Sequence, residues 1–250
     1  MVLLSVGPGR RDSTCAQNSL SLPHLIVGSS PQNSERFFSS GNERTMALLP
    51  NWNIHNVGYK VKSTDQFALI VDLMNDTEED QVVYMTITYD IMPTDAPGMT
   101  NMKPVWFDVA QCLTSDYPAL KQDGAYQLTA PSWKADFDGD ILGMAGHLHD
   151  GGQNVTIWAD DKLVCTSTAT YGGSPEYTSI HEHPKGSATE HISKMSLCIN
   201  DTLNVKELKK GQKWVLKADY DYNRNKGDLY DTGKQETVMG IAIMYVKEKS

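Results

Sequence analysis

Two histidines two positions apart, His147 and His149, sit in Met144-Ala145-Gly146-His147-Leu148-His149-Asp150-Gly151-Gly152, at the end of an alternating, strand-like run. On a strand, residues i and i+2 point to the same side, so the two imidazoles can converge on one substrate group or one metal ion. With one further ligand from a neighbouring strand the pair would suit copper or zinc. The plain alternative is a pair at a pocket wall, hydrogen-bonded to backbone or substrate, and the residues alone leave both open. Asp150 could orient an imidazole or cap the turn that Gly151 and Gly152 permit.

The remaining chemistry is sparse. His181 and His183 lie in a loop of Gly, Ser, Pro and His, where histidines are more often solvated, and His191 could join either pair. His24 and His55 stand alone. The sequence has no GxSxG, P-loop, HExxH, or GxGxxG after a strand, so hydrolase, kinase and dehydrogenase motifs are missing. Asp136-Phe137-Asp138-Gly139-Asp140 resembles the start of a calcium loop but lacks the bidentate Glu at its twelfth position.

The elements that must position these residues read as β almost throughout. Phe67 to Met74 is apolar on both faces, as in a strand between two layers. Val83, Met85, Ile87, Tyr89 and Ile91 alternate with more polar neighbours up to Pro93, which predicts a further strand. Leu22 to Val27 and Val105 to Ala110 add two more, and Arg36-Phe37-Phe38 is a segment that could pack inward. Asp138-Gly139 signals a hairpin between Trp133–Phe137 and Asp140–His149, and Ala159-Asp160-Asp161-Lys162 signals another between Val155–Trp158 and Leu163–Thr168. Trp214, Leu216, Ala218, Tyr220 and Tyr222 share one strand face, and Met239, Ile241, Ile243 and Tyr245 share another. No stretch of helix length carries a 3.6-residue period. The expected fold is all-β, two packed jelly-roll-like antiparallel β-sandwich modules: a flexible arm over 1–21, an N-terminal module over 22–130 and a C-terminal module with the His-x-His motif over 131–250.

Composition bounds the partners. Hydrophobic residues make up 40% and charged residues 21% of the 250, ordinary for a globular protein, and the net charge of -9 with no basic stripe argues against nucleic acid. No apolar run reaches the ~18–20 residues of a membrane-spanning helix. The four cysteines contain no CxxC pair, and an even count fits two disulfides, with Cys15–Cys112 and Cys165–Cys198 expected among three possible connectivities. Sequons at Asn75, Asn154 and Asn200 together with those cysteines point to the secretory pathway, although no signal peptide is evident in Met1 to Val6. A homodimer would cover sheet edges.

Several segments carry a resemblance to a known family. The motif around His147 and His149, then Leu163-Val164-Cys165-Thr166-Ser167, Tyr171-Gly172-Gly173, Lys209-Lys210-Gly211-Gln212-Lys213-Trp214 and Val238-Met239-Gly240-Ile241-Ala242, resemble fungal relatives of the plant stress-up-regulated nodulin family. Arg36-Phe37-Phe38-Ser39-Ser40-Gly41-Asn42-Glu43-Arg44-Thr45 and Gly58-Tyr59-Lys60-Val61 extend the likeness, which covers about residues 22–247. That family is distantly similar to the copper monooxygenases that hydroxylate peptidyl-glycine or dopamine, whose two jelly rolls hold one copper on an HxH pair and a methionine. The resemblance implies a copper site on His147, His149 and Met239. It departs at the second, electron-transferring copper, because there is no His-His dipeptide and only His24 and His55 precede His147.

A narrower likeness is to the hetero-Diels–Alderases of fungal tropolone-sesquiterpenoid pathways, which join a tropolone o-quinone methide to humulene without a cofactor. It implies a non-redox cyclase for small apolar organic substrates. His147, His149 and His191 would be the hydrogen-bond donors, and Trp106, Trp133, Trp158 and Tyr171 the walls, against plain core packing for each aromatic. A copper-binding oxygenase is the alternative, and a non-catalytic secreted binding sandwich the third reading.

Overall fold

Alternating sequences form strands when one face finds a layer to cover it, and the computed structural model stacks three such layers. It describes residues 1–15, 31–41, 43, 55–73, 79–112, 114–179 and 184–249. In chain order the strands are β1 (Val2–Val6), β2 (Ser34–Ser39), β3 (Val57–Gly58), β4 (Gln66–Ile70), β5 (Thr100–Asp108), β6 (Ala125–Thr129), β7 (Trp133–Lys134) and β8 (Gly139–Leu148). They continue as β9 (Gly152–Ala159), β10 (Lys162–Tyr171), β11 (Ile192–Met195), β12 (Leu197–Ile199), β13 (Glu207–Leu208), β14 (Lys213–Asp221) and β15 (Gly240–Glu248). Among the described residues the only helical turns are 3-10 turns at Pro175–Tyr177 and Asn200–Thr202.

An outer sheet runs β11-β10-β9-β14-β6, with β7 also on β14; a middle sheet runs β12-β8-β15-β5-β3, with β13 also on β8. These two form the sandwich. A three-stranded sheet, β2-β1-β4, covers the other side of the middle sheet. All pairings are antiparallel except the short β3–β5 contact. The sandwich therefore reaches back to residue 100, drawing in β5 and β6 from the segment assigned by sequence to the N-terminal module. Val2–Val6, read as part of an arm, is the central strand of the covering sheet.

The layering explains which faces are buried. Between the large sheets pack Phe107, Met144, Leu148, Val155, Ile157, Leu216, Ala218, Tyr220 and Met244, each full burial of such a side chain contributing about 1.5–3 kcal/mol. Between the middle sheet and its cover lie Met102, Trp106, Ile241, Ile243 and Tyr245. Central strand β15 is therefore buried on both faces from Gly240 to Val246. The turn Asp160-Asp161, both residues at positive φ (45° and 64°), joins β9 to β10 as the sequence predicts.

Three expectations fail. The doubly buried strand expected over Phe67 to Met74 is not found: among the described residues, which end at 73 here, only Gln66–Ile70 is strand, and it is the exposed edge of the covering sheet. The alternating run from Val82 to Ile91 forms no strand, and among the described residues no strand pairs with it; Val82, Tyr84 and Ile91 are 81%, 89% and 85% exposed. Asp138-Gly139 is a crossover between sheets, since β7 pairs with β14 and β8 with β15. Its glycine serves a close approach: a Cβ there would overlap Val246. Leu22 to Val27 lies outside the described residues.

Both expected disulfides form, and each staples two layers. Cys165 on β10 bonds Cys198 on β12, across the sandwich, with a sequence separation of 33. Cys15 bonds Cys112, joining the cover to the turn after β5, with a separation of 97. Closing a 33-residue loop in the unfolded chain corresponds to about 3–4 kcal/mol. The Cys165→Ala/Cys198→Ala variant is expected to lose about that much unfolding free energy, read from urea midpoints; unchanged midpoints would contradict the staple.

Candidate metal centre

The His-x-His strand is fixed from both sides. On β8, Met144, Gly146 and Leu148 point into the sandwich, so Ala145, His147 and His149 point toward the cover. Gly146 and Gly240 let the sheets close at this end: a Cβ on Gly146 would stand 2.9 Å from the Val155 Cβ, and one on Gly240 2.7 Å from the Ala218 Cβ. Ladder pairing sets Ile241 opposite His147 and Gly240 opposite Leu148. Continued by one residue, that register puts Met239 opposite His149, and Met239 packs with Ile241 and Ile243 on the cover side.

Tyr220 ties the strand ends together. Its buried hydroxyl accepts from the His149 backbone N–H (3.1 Å) and donates to the Met239 carbonyl (2.6 Å). One phenol from the opposite sheet thus links the backbone of His149 to that of Met239 just beyond the ladder. Burial pushes that phenol far above its ordinary value, so it remains a neutral hydroxyl able to do both.

Each imidazole has its Nδ1 engaged by a different partner. His149 Nδ1 donates to the Thr237 carbonyl (2.8 Å), which fixes the tautomer with a lone pair on Nε2. His147 Nδ1 donates to the Glu43 carboxylate (2.9 and 3.1 Å), on the segment that follows β2. Gly41 permits this contact, since a Cβ there would overlap the His147 ring. The rings stand 5.7 Å apart, centre to centre, at 81°. A ring centre lies about 3 Å from an ion bound at 2.0–2.1 Å, so two rings on one ion fall within about 6 Å. Among the described residues neither Nε2 has a hydrogen-bond partner.

The two rings differ in charge preference. Burial is the largest influence on His147 and disfavours its charge, but the charge and hydrogen bond of Glu43 together outweigh it and raise its pKa. Burial and then the neighbouring His147 charge lower the pKa of His149. The Glu43 carboxyl is lowered overall: burial opposes ionisation, and His147 overcomes it. The two shifts run in opposite directions, favouring charge on His147 and disfavouring it on His149.

Other sequence-nominated residues lie elsewhere. His191 has both ring nitrogens engaged, by Asp150 and Ser179, and Asp150, His191 and Asp228 bring ligand atoms within 4.8 Å of one another. Trp106 is buried under the cover and Trp133 within the sandwich. Trp158 lies on the outer face, stacked under the Lys217 ammonium at 5.2 Å, and the Tyr171 hydroxyl donates to the Gly152 carbonyl. Asn200 is exposed and Asn154 half-buried on β9. Asn75, His24, His181 and His183 lie outside the described residues. Glu43, Gly41, Thr237 and Tyr220 were not nominated as site residues, although Gly41 and Glu43 stand in the quoted Arg36–Thr45 motif.

The family model described as "Stress up-regulated Nod 19" matches residues 76–249, which include both histidines and Met239. "Probable copper-dependent oxygenase clz3" of Cochliobolus lunatus is 28% identical over 240 residues, covering 92% of this chain and 73% of that protein. "Probable copper-dependent oxygenase M1" of Phoma sp. (strain ATCC 20986 / MF5453) is 27% identical over 240 residues, covering 92% of this chain but 58% of that protein. No solved structure matches.

The Glu43–His147 pair yields a signed pH dependence. His147 has a raised folded pKa, so its contribution to stability is full below the unfolded imidazole value near 6.5 and lost as pH rises through the folded value. Glu43 has a lowered one, so its contribution is present above the unfolded carboxyl value and lost as pH falls through the folded value. In chelator-treated protein, the stability gap between wild type and Glu43→Gln is expected to peak at mildly acidic pH and narrow in alkali. The His147 ring should titrate lower in the variant by NMR; an unchanged titration would break the assignment.

Proposed function

This chain belongs to the stress up-regulated Nod 19 family, and from that membership we propose that it is an enzyme whose centre is a single copper held by His147, His149 and Met239. The observation that carries this reading is the donor set: two imidazoles with Nδ1 engaged and, among the described residues, no partner on Nε2, on the side of the sheet that holds a thioether. Copper accepts imidazole and thioether ligands together. When bound, it would supply one-electron and oxygen chemistry toward a small, largely apolar organic substrate. The names carried by the two relatives point the same way.

In this proposal the protein's own groups have separate duties. Glu43 accepts the His147 Nδ1–H and raises the basicity of the other nitrogen, and the Thr237 carbonyl does so more weakly for His149. Tyr220 links the backbone of Met239 to that of His149. Secretion, with glycans on Asn200 and Asn154, is part of the proposal and agrees with the two disulfides.

A second reading rests on one contact, the Glu43 carboxylate 2.9 Å from His147 Nδ1, which favours the charged form of the ring. A protonated ring presents Nε2–H as a donor, and placed on a quinone-methide oxygen it would polarise the heterodiene as charge develops there. Holding both reactants in near-attack geometry can remove ~7–11 kcal/mol of barrier without a redox step. This is the hetero-Diels–Alderase reading, with no cofactor.

Metal analysis separates the two. Copper-loaded, desalted protein is expected to hold about one copper per chain, lost in His147→Ala/His149→Ala. Glu43→Gln should weaken affinity by roughly 10–100-fold, and Met239→Leu should alter the optical spectrum while copper is kept. Wild-type protein that retains no more copper than the double variant would overturn the copper reading. Enantioselective coupling of an o-quinone methide and humulene by chelator-treated protein would then establish the second.

A further inference from the structure

His191 belongs to a constellation that the copper proposal does not use. Its Nε2 lies 2.8 Å from the Ser179 hydroxyl, and its Nδ1 lies 2.6 Å from the Asp150 Oδ2. The other carboxylate oxygen of Asp150 accepts the Ile192 backbone N–H at 2.8 Å, which fixes the plane of the acid. We infer that Ser179, His191 and Asp150 form an acyl-transfer triad, with Ser179 as nucleophile, His191 as general base and Asp150 as the group that orients and supports the ring.

The backbone builds this arrangement. Residues 177–179 run antiparallel to 189–191: His191 N–H donates to the Tyr177 carbonyl (2.9 Å), Ser179 N–H donates to the Thr189 carbonyl (2.8 Å), and Thr178 pairs with Glu190. The serine and histidine are therefore diagonal neighbours on one ladder. From the other side, Gly172 N–H donates to the His191 carbonyl at 3.0 Å. The acid arrives from the turn after β8. Ser179 and His191 are both half-buried, and the Asp150 side chain is the deeper of the ion pair, 8% exposed against 17% for His191. A buried acid behind a more accessible base is what an orienting carboxylate requires.

A fourth group completes the charge balance. Burial, then the charge of Asp150, pushes the Asp228 carboxyl up to about 7, and it hydrogen-bonds to Asp150. Asp150, in contact with His191 Nδ1, is the group that would stabilise the imidazolium formed during reaction. With Glu236 also near Asp228, the setting favours an uncharged carboxylic ester over an anionic substrate.

The reaction balances without a co-reactant other than water. The Ser179 Oγ forms a bond to the ester carbonyl carbon while its proton passes to His191 Nε2. Collapse breaks the carbon–oxygen bond to the leaving alcohol, which takes that proton. Water, deprotonated by the same nitrogen, cleaves the acyl-serine, giving acid, alcohol and free enzyme.

The test uses the full chain with chelator present, so that neither copper nor a cation on Asp150, His191 and Asp228 contributes. Its result is independent of the copper reading. A fluorophosphonate probe is expected to add once per chain, at Ser179 by peptide mass mapping. Labelling should vanish in Ser179→Ala and slow by roughly 100-fold or more in His191→Gln, with p-nitrophenyl butyrate hydrolysis falling in parallel. Both variants should keep the wild-type circular dichroism and melting profile. Wild-type protein that labels at Ser179 no faster than urea-unfolded protein would overturn the assignment and leave these bonds as a loop fastening.

Discussion

The arrangement of the site depends on one buried ion pair. Arg36, 1% exposed, points from β2 into the space between cover and middle sheet. Its guanidinium pairs with Asp12, donates to the Cys112 carbonyl (2.6 Å) and lies over the Trp106 ring at 5.4 Å. A buried pair of this kind contributes little net stability, but removing one partner leaves an uncompensated charge in the interior and typically costs 3–5 kcal/mol. Its use here is positional. It fixes β2 against the middle sheet, and the segment that follows β2 carries Gly41 and Glu43 to His147.

That dependence explains the asymmetry of the two histidines. His149 is organised entirely by the sandwich, through Thr237 on the approach to β15 and Tyr220 on β14. His147 is organised by the cover, through Glu43. One ring is fixed as a neutral acceptor and the other is biased toward the cation, although they are two residues apart on the same strand. A metal site and a proton-donating site need different charge states from His147, and the same carboxylate serves either.

Much of this was legible in the sequence. The shared direction of His147 and His149 follows from strand alternation, and the β9–β10 turn, the faces of β14 and the disulfide pairing were all anticipated. What was not legible depends on which layer lies against which. Glu43 is 104 residues from His147, and no local pattern marks it as a partner. Arg36 beside two phenylalanines invites the expectation that the rings turn inward, whereas the guanidinium is the more deeply buried group. The run from Val82 to Ile91 has every local feature of a strand, but strand formation needs a partner for its backbone, and periodicity carries no information about partners. Ser179 escaped notice because its relation to His191 runs across a loop ladder that has neither a motif nor a period.

The two disulfides have different places in the maturation of the chain. Cys165–Cys198 can close as soon as the sandwich condenses, because both cysteines are held in its strands. Cys15–Cys112 requires the cover to have docked first. Assembly of the Glu43–His147 contact is therefore tied to the later of two oxidation events. A chain that forms Cys165–Cys198 but not Cys15–Cys112 would keep its sandwich and its His-x-His strand stapled while the lock on its cover stayed open.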